Sequence, residues 1–341
     1  MKVPKARKMS SGNWYINLRL GGESINVTEP TEKQCIKTAQ LIKAQYLAGK
    51  RTEKREEKKL TLTAAIDNYI TSRENVLSPS TIRGYRTIQR TRFQSIMKAS
   101  VSDLTPERCQ KAVNDEAKLC SPKTLCNAWR FLSSVIRDAT DRVVRVRLPQ
   151  IVQHERPFLD PAQISVFVAA VKGDDVEVPA LLALCSLRTS EIRGLLWENV
   201  DFAKGLLHVR GSVVYDEHRQ LVRKEATKNV TSRRDVPMIP QLAEALKSLE
   251  RTDEYVIHGS IQHVYLRVNK ICRANNLPEV GLHGLRHSFA SLAYHLGMPA
   301  KIAQEIGGWA NDQTMQRIYT HVAQADRITG QNKMLDYYKN L

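Results

Sequence analysis

The chain has 341 residues, 42% hydrophobic and 26% charged, a balance typical of folded domains that excludes wholesale disorder. This length exceeds one ordinary domain and predicts two or three. Fifty-two Lys and Arg stand against 35 Asp and Glu, so the formal net charge is +17, which favours a polyanionic partner. Residues 1–59 carry 14 basic and 6 acidic side chains, residues 60–150 carry 15 and 8, and residues 151–341 carry 23 and 21. The positive excess is therefore concentrated in the first 150 residues.

Nucleic acid is the favoured polyanion. A basic surface kept only for solubility is the plainer alternative. Binding to an anionic membrane is disfavoured because no basic amphipathic segment with bulky apolar anchors stands out. No run approaches the roughly 20 apolar residues of a membrane span, and the basic N-terminus lacks the apolar core of a secretory signal. The six scattered cysteines show no metal-ligand spacing, which predicts reduced thiols in a cytoplasmic protein and no bound metal.

The first segment, residues 1–59, predicts a small β-sheet followed by a helix. Residues 13–20 alternate between apolar and polar, Gly21-Gly22 predicts a turn, and the alternation resumes over residues 24–27. A helical pattern then runs from about residue 32 to 59. A structural hairpin is one interpretation, but the surrounding Arg and Lys favour a DNA-binding sheet. Its candidate contact residues are Trp14 and Arg19.

The second segment, residues 60–150, is helical by pattern. Ser78-Pro79-Ser80-Thr81 is a helix start signal, and a similar signal at Ser121 predicts a helix that runs to about Ala139. Three arginines after the first signal are spaced i, i+3, i+7, which places them on one helix face. No acidic residue interrupts them, so contact with phosphates is favoured over an ordinary solvated face. These candidate DNA-binding residues are Arg83, Arg86 and Arg90.

The third segment, residues 151–341, mixes helices with predicted strands at 205–214, 221–228 and 234–238. It also contains short motifs that could carry chemistry. In chain order they are Leu187-Arg188-Thr189-Ser190-Glu191-Ile192, Thr227-Lys228-Asn229, His283-Gly284-Leu285-Arg286-His287, Gly307-Gly308-Trp309 and Ile318-Tyr319-Thr320-His321-Val322. Each motif alone is weak, since an Arg-x-x-Glu or His-x-x-Arg spacing on a helix is commonly structural. Their order and combined spacing are much harder to attribute to chance.

This ordered set resembles the catalytic motifs of tyrosine recombinases, specifically phage and conjugative-transposon integrases of the lambda-integrase type. The resemblance is specific in the third segment and rests on pattern in the first two. It implies a multidomain, mainly α fold with small β elements. The implied domains are an arm-type DNA-binding domain with a small β-sheet and helical tether at 1–59, a helical core-binding domain at 60–150, and a mixed α+β catalytic domain with a C-terminal tail at 151–341.

Motif matching with this family implies a set of six catalytic residues. They are Arg188, Lys228, His283, Arg286, Trp309 and the nucleophile Tyr319, with Glu191 as a structural acid. Their chemistry suits an attack on a phosphodiester. Two guanidiniums can fork onto the nonbridging oxygens. A lysine can protonate the leaving 5′-oxygen, a histidine can accept the proton of the nucleophile, and a tyrosine can form the covalent link. This chemistry needs neither ATP nor a metal, so no cofactor is expected.

Trp309 departs from the commoner family pattern, in which Leu-Gly-His replaces Gly-Gly-Trp. The indole N–H can donate a hydrogen bond, but unlike histidine it cannot exchange a proton. Lys224 is a rival for the general acid, because it lies on the same predicted hairpin as Lys228. Tyr337 and Tyr338 are rival nucleophiles near the C-terminal end. The remaining motif histidines, His287 and His321, are interpreted as supporting residues.

The resemblance implies a site-specific recombinase that integrates and excises a prophage or mobile element through a 3′-phosphotyrosyl intermediate. Its partners would be double-stranded attachment-site DNA and three further copies in a homotetramer on that DNA. Participation of an excisionase and of a host DNA-bending protein is left open. A resolvase or type IB topoisomerase-like strand transferase, and a non-catalytic DNA-binding regulator, are the alternatives. The complete set of catalytic residues argues against the regulator, and the basic N-terminal segment argues against a simple resolvase.

Overall fold

The computed structural model describes residues 2–53, 60–152, 156–225, 233–310 and 313–339. This part of the chain is mostly helical and has small antiparallel sheets. It packs as two compact units, Met1–Tyr69 with Phe93–Leu148, and Ile70–Arg92 with Pro149–Leu341. Among the residues described, no helix combines the length and the apolar character that crossing a bilayer requires.

Eight strands and fourteen α-helices are found in the described ranges. The strands are β1 (Arg7–Lys8), β2 (Trp14–Leu20), β3 (Glu23–Glu29), β4 (Val200–Asp201), β5 (Leu206–Val209), β6 (Gly211–Tyr215), β7 (Leu221–Glu225) and β8 (Arg234–Pro237). The helices are α1 (Glu32–Glu53), α2 (Leu62–Thr71), α3 (Pro79–Thr91), α4 (Gln94–Met97), α5 (Pro106–Glu116), α6 (Pro122–Thr140), α7 (Pro161–Val171), α8 (Glu177–Leu184), α9 (Thr189–Arg193), α10 (Pro240–Ser248), α11 (Ile261–Ala274), α12 (Gly281–His295), α13 (Ala300–Gly307) and α14 (Gln313–Lys339).

The first unit opens with the antiparallel sheet β1-β2-β3, which α1 covers. The alternation of β2 buries Ile16 and Leu18, which form a small core with Val27 and with residues of α1. This confirms the predicted hairpin and adds the short strand β1. The helical prediction is confirmed as far as Glu53, and residues 54–59 lie outside the described part of the chain.

The other helices of the first unit confirm the helical prediction for this region. Ser121 caps α6 by accepting a hydrogen bond from the Thr124 N–H at 3.3 Å, as its start signal predicts. The apolar face of α6 is buried, and Trp129 packs against the ring of Phe93 with centroids 5.8 Å apart. Helix α3 also begins as predicted, with Ser78 as its N-cap. The stretch that contains α3 packs with the second unit.

The core of the second unit surrounds α8, in which every residue after Glu177 is buried. Helix α12 packs against α8 and contributes Leu282 and Leu285 to the same core. At the end of α8, Ser186 has φ +71°, and this turn leads directly into α9. A buried helix thereby fixes the start of the Arg188 motif.

The predicted strand at 205–214 is wrong in one respect, because it is two strands that belong to different sheets. Strand β5 pairs with β4 and β8, whereas β6 forms a hairpin with β7. The chain changes sheets at Arg210, whose side chain binds Asp235 at 2.6 Å and the Arg234 carbonyl at 3.0 Å. The next strand, β8, starts at Arg234 as predicted.

Candidate active site

Arg188 is held at the start of α9 by its own motif. Its backbone N–H donates to Oε2 of Glu191 at 2.7 Å, and its guanidinium donates to Oε1 at 2.6 Å. A second guanidinium nitrogen donates to the carbonyl of Gly308. The side chain of Arg188 is 38% exposed, so the guanidinium is anchored on one side and open on the other.

Glu191 is buried, and a second arginine binds it. Arg234, from β8, donates to both carboxylate oxygens of Glu191, at 3.0 and 2.8 Å. Burial by itself would raise the pKa of Glu191, but the hydrogen bonds and charge of Arg234, aided by Arg188, lower it to about 2. The carboxylate is therefore ionised, and it links α9 to β8.

Arg286 is almost fully buried on α12 and points to the same turn as Arg188. It donates to the Ser186 carbonyl, and to the Gly307 carbonyl at 2.6 Å. Its guanidinium carbon lies 4.6 Å from the ring centroid of Trp309, a cation–π contact. Burial and then the charge of Arg188 lower the pKa of Arg286 to about 9, so it stays charged at neutral pH. The two predicted arginines are thus brought together by the adjacent carbonyls of Gly307 and Gly308.

The Gly-Gly-Trp motif has a steric basis in this turn. A Cβ on Gly307 would overlap the ring of Trp309. Gly308 has φ +63°, and a Cβ there would lie 2.9 Å from the side chain of Arg234. Trp309 itself is buried in a cluster that includes Met315 and Ile318, so the motif closes the turn over both arginines.

His283 lies one helical turn before Arg286 and borders an open cleft of about 340 Å³ with Arg156 and Thr189. Desolvation, followed by the positive charge of Arg156 and Arg286, lowers the pKa of His283. Its imidazole is therefore neutral near pH 7 and able to accept a proton. His287 is buried edge-on against it, with ring centroids 4.4 Å apart. Burial and then His283 lower the pKa of His287 to about 3.

Tyr319, on α14, packs against the same apolar cluster as Trp309. Its ring meets that of Tyr294 edge-on, with centroids 5.3 Å apart. Its hydroxyl donates to the Met298 carbonyl at 3.1 Å, and desolvation raises the pKa of the phenol. Tyr319 is therefore a protonated phenol whose hydrogen bond is made to the backbone.

The structure gives less information about the predicted general acid and about the rival candidates. Lys228 lies outside the described residues. Its rival Lys224 is on β7, opposite Ser212 of β6. The rival nucleophiles Tyr337 and Tyr338 are both 65% exposed on α14.

The predicted DNA-binding residues fall into two settings. Arg19 is exposed on β2, whereas Trp14 is half-buried against the small core of the sheet. On α3, Arg90 is exposed, Arg83 lies over the ring of Tyr215 at 5.6 Å, and Arg86 binds Glu217 at 3.2 Å. These contact roles stay predictions.

Sequence reasoning did not single out Arg234, although it is central to the site. A signal was present, since Arg234 and the buried Val236 occupy alternate positions of one strand and therefore share a face. An arginine on the inner face of a strand requires a buried acidic partner. Glu191 is that partner.

Comparisons with known proteins agree with this geometry. Residues 157–326 match the family model described as the phage integrase family. A tyrosine recombinase XerC-like protein of Caldanaerobacter subterraneus subsp. tengcongensis is 25% identical, over 55% of this chain and 56% of the relative. The prophage integrase IntS of Escherichia coli strain K12 is 28% identical, over 50% of this chain and 44% of the relative. The chain thus spans about half the length of these curated relatives.

Two solved structures share the fold. The Tn1549 transposon integrase in complex with circular intermediate DNA has a TM-score of 0.61 and 21% identity, over 79% of this chain and 99% of that chain. A lambda integrase tetramer bound to a Holliday junction has a TM-score of 0.54 and 16% identity, over 91% and 96%. From the family model and these relatives, together with the paired arginines, the chain belongs to the tyrosine recombinase family.

Proposed function

We propose that this protein is a site-specific DNA recombinase, an integrase that cleaves and rejoins DNA to integrate and excise a phage or mobile element. One observation carries the proposal. Arg188 and Arg286, about 100 residues apart in sequence, bind the carbonyls of adjacent glycines. Two fixed guanidiniums at one turn suit a single phosphodiester, whose nonbridging oxygens gain charge during attack.

The proposed step is a transesterification. The Tyr319 oxygen attacks the scissile phosphorus, a 3′-phosphotyrosyl bond forms, and the bond to the 5′-oxygen breaks. His283, neutral at pH 7, takes the phenolic proton, and Lys228 supplies a proton to the leaving 5′-oxygen. Attack by a second 5′-hydroxyl reverses the step on another strand, so no external energy source is consumed.

The nucleophile must first leave its hydrogen bond to Met298. The Tyr319 hydroxyl faces a backbone carbonyl, and its raised pKa keeps it protonated. Loss of that bond, and placement of the phenol beside the phosphate held by Arg188 and Arg286, would couple cleavage to binding of the DNA. Trp309 joins the two parts of the site, because it contacts Arg286 and belongs to the cluster against which Tyr319 packs.

Tyr319→Phe tests the proposal. The substrate is a duplex that carries the junction sequence at the ends of the encoding element, nicked beside the scissile phosphate so that the cleaved fragment diffuses away. The unaltered protein should accumulate a covalent protein–DNA adduct, and Tyr319→Phe should form none while binding the duplex normally. Tyr338→Phe is the matched control and should retain the adduct. Adducts that persist in Tyr319→Phe would reject the assignment of the nucleophile.

The pH dependence tests the role of His283. Because its pKa is lowered from the ordinary value near 6.5, the cleavage rate should be level through neutral pH and fall only below about pH 6.5. His283→Gln should lower the rate about 100-fold and remove this acid limb. The measurement is single-turnover cleavage from pH 5 to 9. An acid limb that survives in His283→Gln would assign it to another group.

The domain layout forms part of the proposal, namely arm binding by residues 1–59, core binding by residues 60–150 and catalysis by residues 151–341. The basic excess of the first two segments supports it. Deletion of residues 1–59 should weaken recombination of complete attachment sites and spare cleavage of an isolated core site. Loss of core cleavage in the deletion would contradict this division.

A homotetramer on DNA is proposed from two features of the second unit. The end of α14 exposes the apolar residues Met334 and Leu335, at 56% and 53%. An apolar cleft of about 750 Å³ is lined by Phe158 and by residues of α7, α12 and α14, among them Val322. The tail of one copy would occupy the cleft of the next.

Met334→Ser with Leu335→Ser should abolish the tetramer on paired sites, measured by native gel shift, and spare binding of one site. An excisionase and a host DNA-bending protein are candidate accessory partners.

A further inference from the structure

Arg234 is a buried guanidinium that takes no part in the proposed bond-breaking step. Its side chain is 5% exposed, and its hydrogen bonds within the described part of the chain end on acceptors inside the site. Beyond its two bonds to Glu191, its Nε donates to the Ile306 carbonyl at 2.9 Å and its Nη2 donates to the Ser186 carbonyl at 3.2 Å. Three separate segments, namely the turn before α9, α9 itself and the end of α13, therefore meet at this one side chain.

The acceptors of Arg234 also orient the two arginines proposed to bind phosphate. Ser186 accepts from both Arg234 and Arg286. Glu191 accepts from both Arg234 and Arg188. The third acceptor, Ile306, directly precedes the carbonyls that hold Arg286 and Arg188. The orientation of each of these arginines thus depends on groups that Arg234 fixes.

The concentration of positive charge around Glu191 makes these hydrogen bonds necessary. The carboxylate of Glu191 is bound by Arg188 and Arg234, and the buried Arg286 lies close enough to feel the charges of all three groups. Like charges at short range in a low-dielectric environment repel, so the arrangement depends on directed hydrogen bonds to stay in place. The surplus of positive charge matches an entering phosphodiester, whose negative charge rises in the transition state.

We propose that Arg234 is a positioning residue. It holds Glu191 and the turn at Ile306–Trp309 in place, so that Arg188 and Arg286 bind the same phosphate. It acts through the other arginines and does not touch the DNA. The inference rests on the proposed function, since it assigns Arg234 a part in the electrostatics of strand cleavage. It also explains why Gly308 lies against Arg234, because a Cβ there would press on this side chain.

The test compares two scissile linkages in the nicked duplex, a natural phosphodiester and a methylphosphonate. The methylphosphonate lacks one charged nonbridging oxygen, so it needs less help from guanidiniums. Arg234→Met should slow single-turnover cleavage of the phosphodiester about 100-fold and that of the methylphosphonate no more than about 10-fold. Duplex affinity should change less than about threefold, because the hydrogen bonds that Arg234→Met removes lie inside the protein.

The ratio of the two rates, measured with one preparation, is independent of the fraction of protein that is folded. Partial unfolding of a variant therefore cannot imitate the effect. Arg234→Lys keeps the positive charge but cannot form the fork to Glu191, and it should behave like Arg234→Met. Arg267→Met is the matched control, because Arg267 also binds a carboxylate, Asp174, at 2.7 Å, but lies on α11, away from Glu191 and its arginines. Its rate ratio should equal that of the unaltered protein.

Three results would overturn the inference. An equal slowing on both linkages in Arg234→Met would indicate a structural role alone. Recovery of the normal rate by Arg234→Lys would indicate that charge suffices without the fork. A changed ratio in Arg267→Met would show that the effect is not specific to Arg234. Failure of the proposed function looks different, because then the unaltered protein itself would form no adduct on the phosphodiester.

Discussion

Two groups of arginines in the second unit show how the same type of side chain can serve two purposes. The arginine cluster consists of Arg188, Arg234 and Arg286, and the α3 stripe consists of Arg83, Arg86 and Arg90. In the cluster, backbone carbonyls and Glu191 fix the guanidiniums. In the stripe, the side chains are exposed or half-buried, and their contacts are a ring face, a carboxylate and a helix carbonyl.

The difference in setting implies a difference in energetics. Charges that hydrogen bonds hold in place need no reorganisation when a phosphate arrives, so they can stabilise a transition state. Exposed charges adjust to a DNA backbone and are screened by salt, so they contribute affinity more than rate. Substitutions in the cluster should therefore change the cleavage rate, and substitutions in the stripe should change binding.

The largest effect should come from Arg286→Lys. A lysine amine cannot span the carbonyls of Ser186 and Gly307 together, so the charge would be retained but misdirected. Single-turnover cleavage should fall about 1,000-fold, with duplex affinity nearly unchanged. Arg273→Lys, at an exposed arginine paired with Glu279, is the control and should cleave normally. A fall of less than tenfold in Arg286→Lys would show that position matters less than charge.

Glu191 should make the stability of the protein depend on acid. Its pKa is about 2 in the folded state against an ordinary value of 4.5, so its stabilisation is complete above pH 4.5 and is lost as the pH falls towards 2. The pKa difference corresponds to about 3 kcal/mol of unfolding free energy. Glu191→Gln should lose this amount at pH 7 and little at pH 2, as measured by urea unfolding. Glu305→Gln, at an exposed residue, should lose almost nothing at either pH.

The sequence predicted many of the elements and supplied the candidate site residues. Local signals mark where α3 and α6 begin. The family motifs predict Arg188, Arg286 and Tyr319 as a set, and the structure brings the two arginines to one turn. Long-range contacts were beyond the sequence. The break of one predicted strand at Arg210 depends on a partner 25 residues away, and the role of Arg234 depends on Glu191, 43 residues away. Neither pairing leaves a periodic signal, because periodicity reports which face is buried and not what lies against it.

In the α3 stripe, Arg90→Ala should weaken duplex binding by a moderate factor and leave the cleavage rate of bound DNA unchanged. Arg90 is exposed, and its Nε donates a hydrogen bond to the Arg86 carbonyl of its own helix. If it contacts one phosphate, the slope of log affinity against log salt should become shallower by about one unit. Affinities from 50 to 300 mM salt measure this slope. Lys118→Ala is the control, because Lys118 is a basic residue that lies outside the stripe, on the other unit, and is 77% exposed.

The smallest effect concerns Arg86. Because it is paired with a carboxylate, it is the member of the α3 stripe that is hardest to distinguish from the arginine cluster. Its Nε lies 3.2 Å from Oε2 of Glu217, and the two side chains are 24% and 34% exposed. A half-exposed pair of this kind should contribute no more than about 1 kcal/mol to stability. A double-mutant cycle of Arg86→Ala and Glu217→Ala in urea unfolding gives this coupling, which should shrink as salt rises. For DNA the two substitutions should act in opposite directions, since Arg86→Ala removes a positive charge and Glu217→Ala removes a negative one beside it. If both weaken binding equally, the ion pair itself is what the DNA requires, and Arg86 then belongs with the fixed arginines of the cluster and not with the stripe.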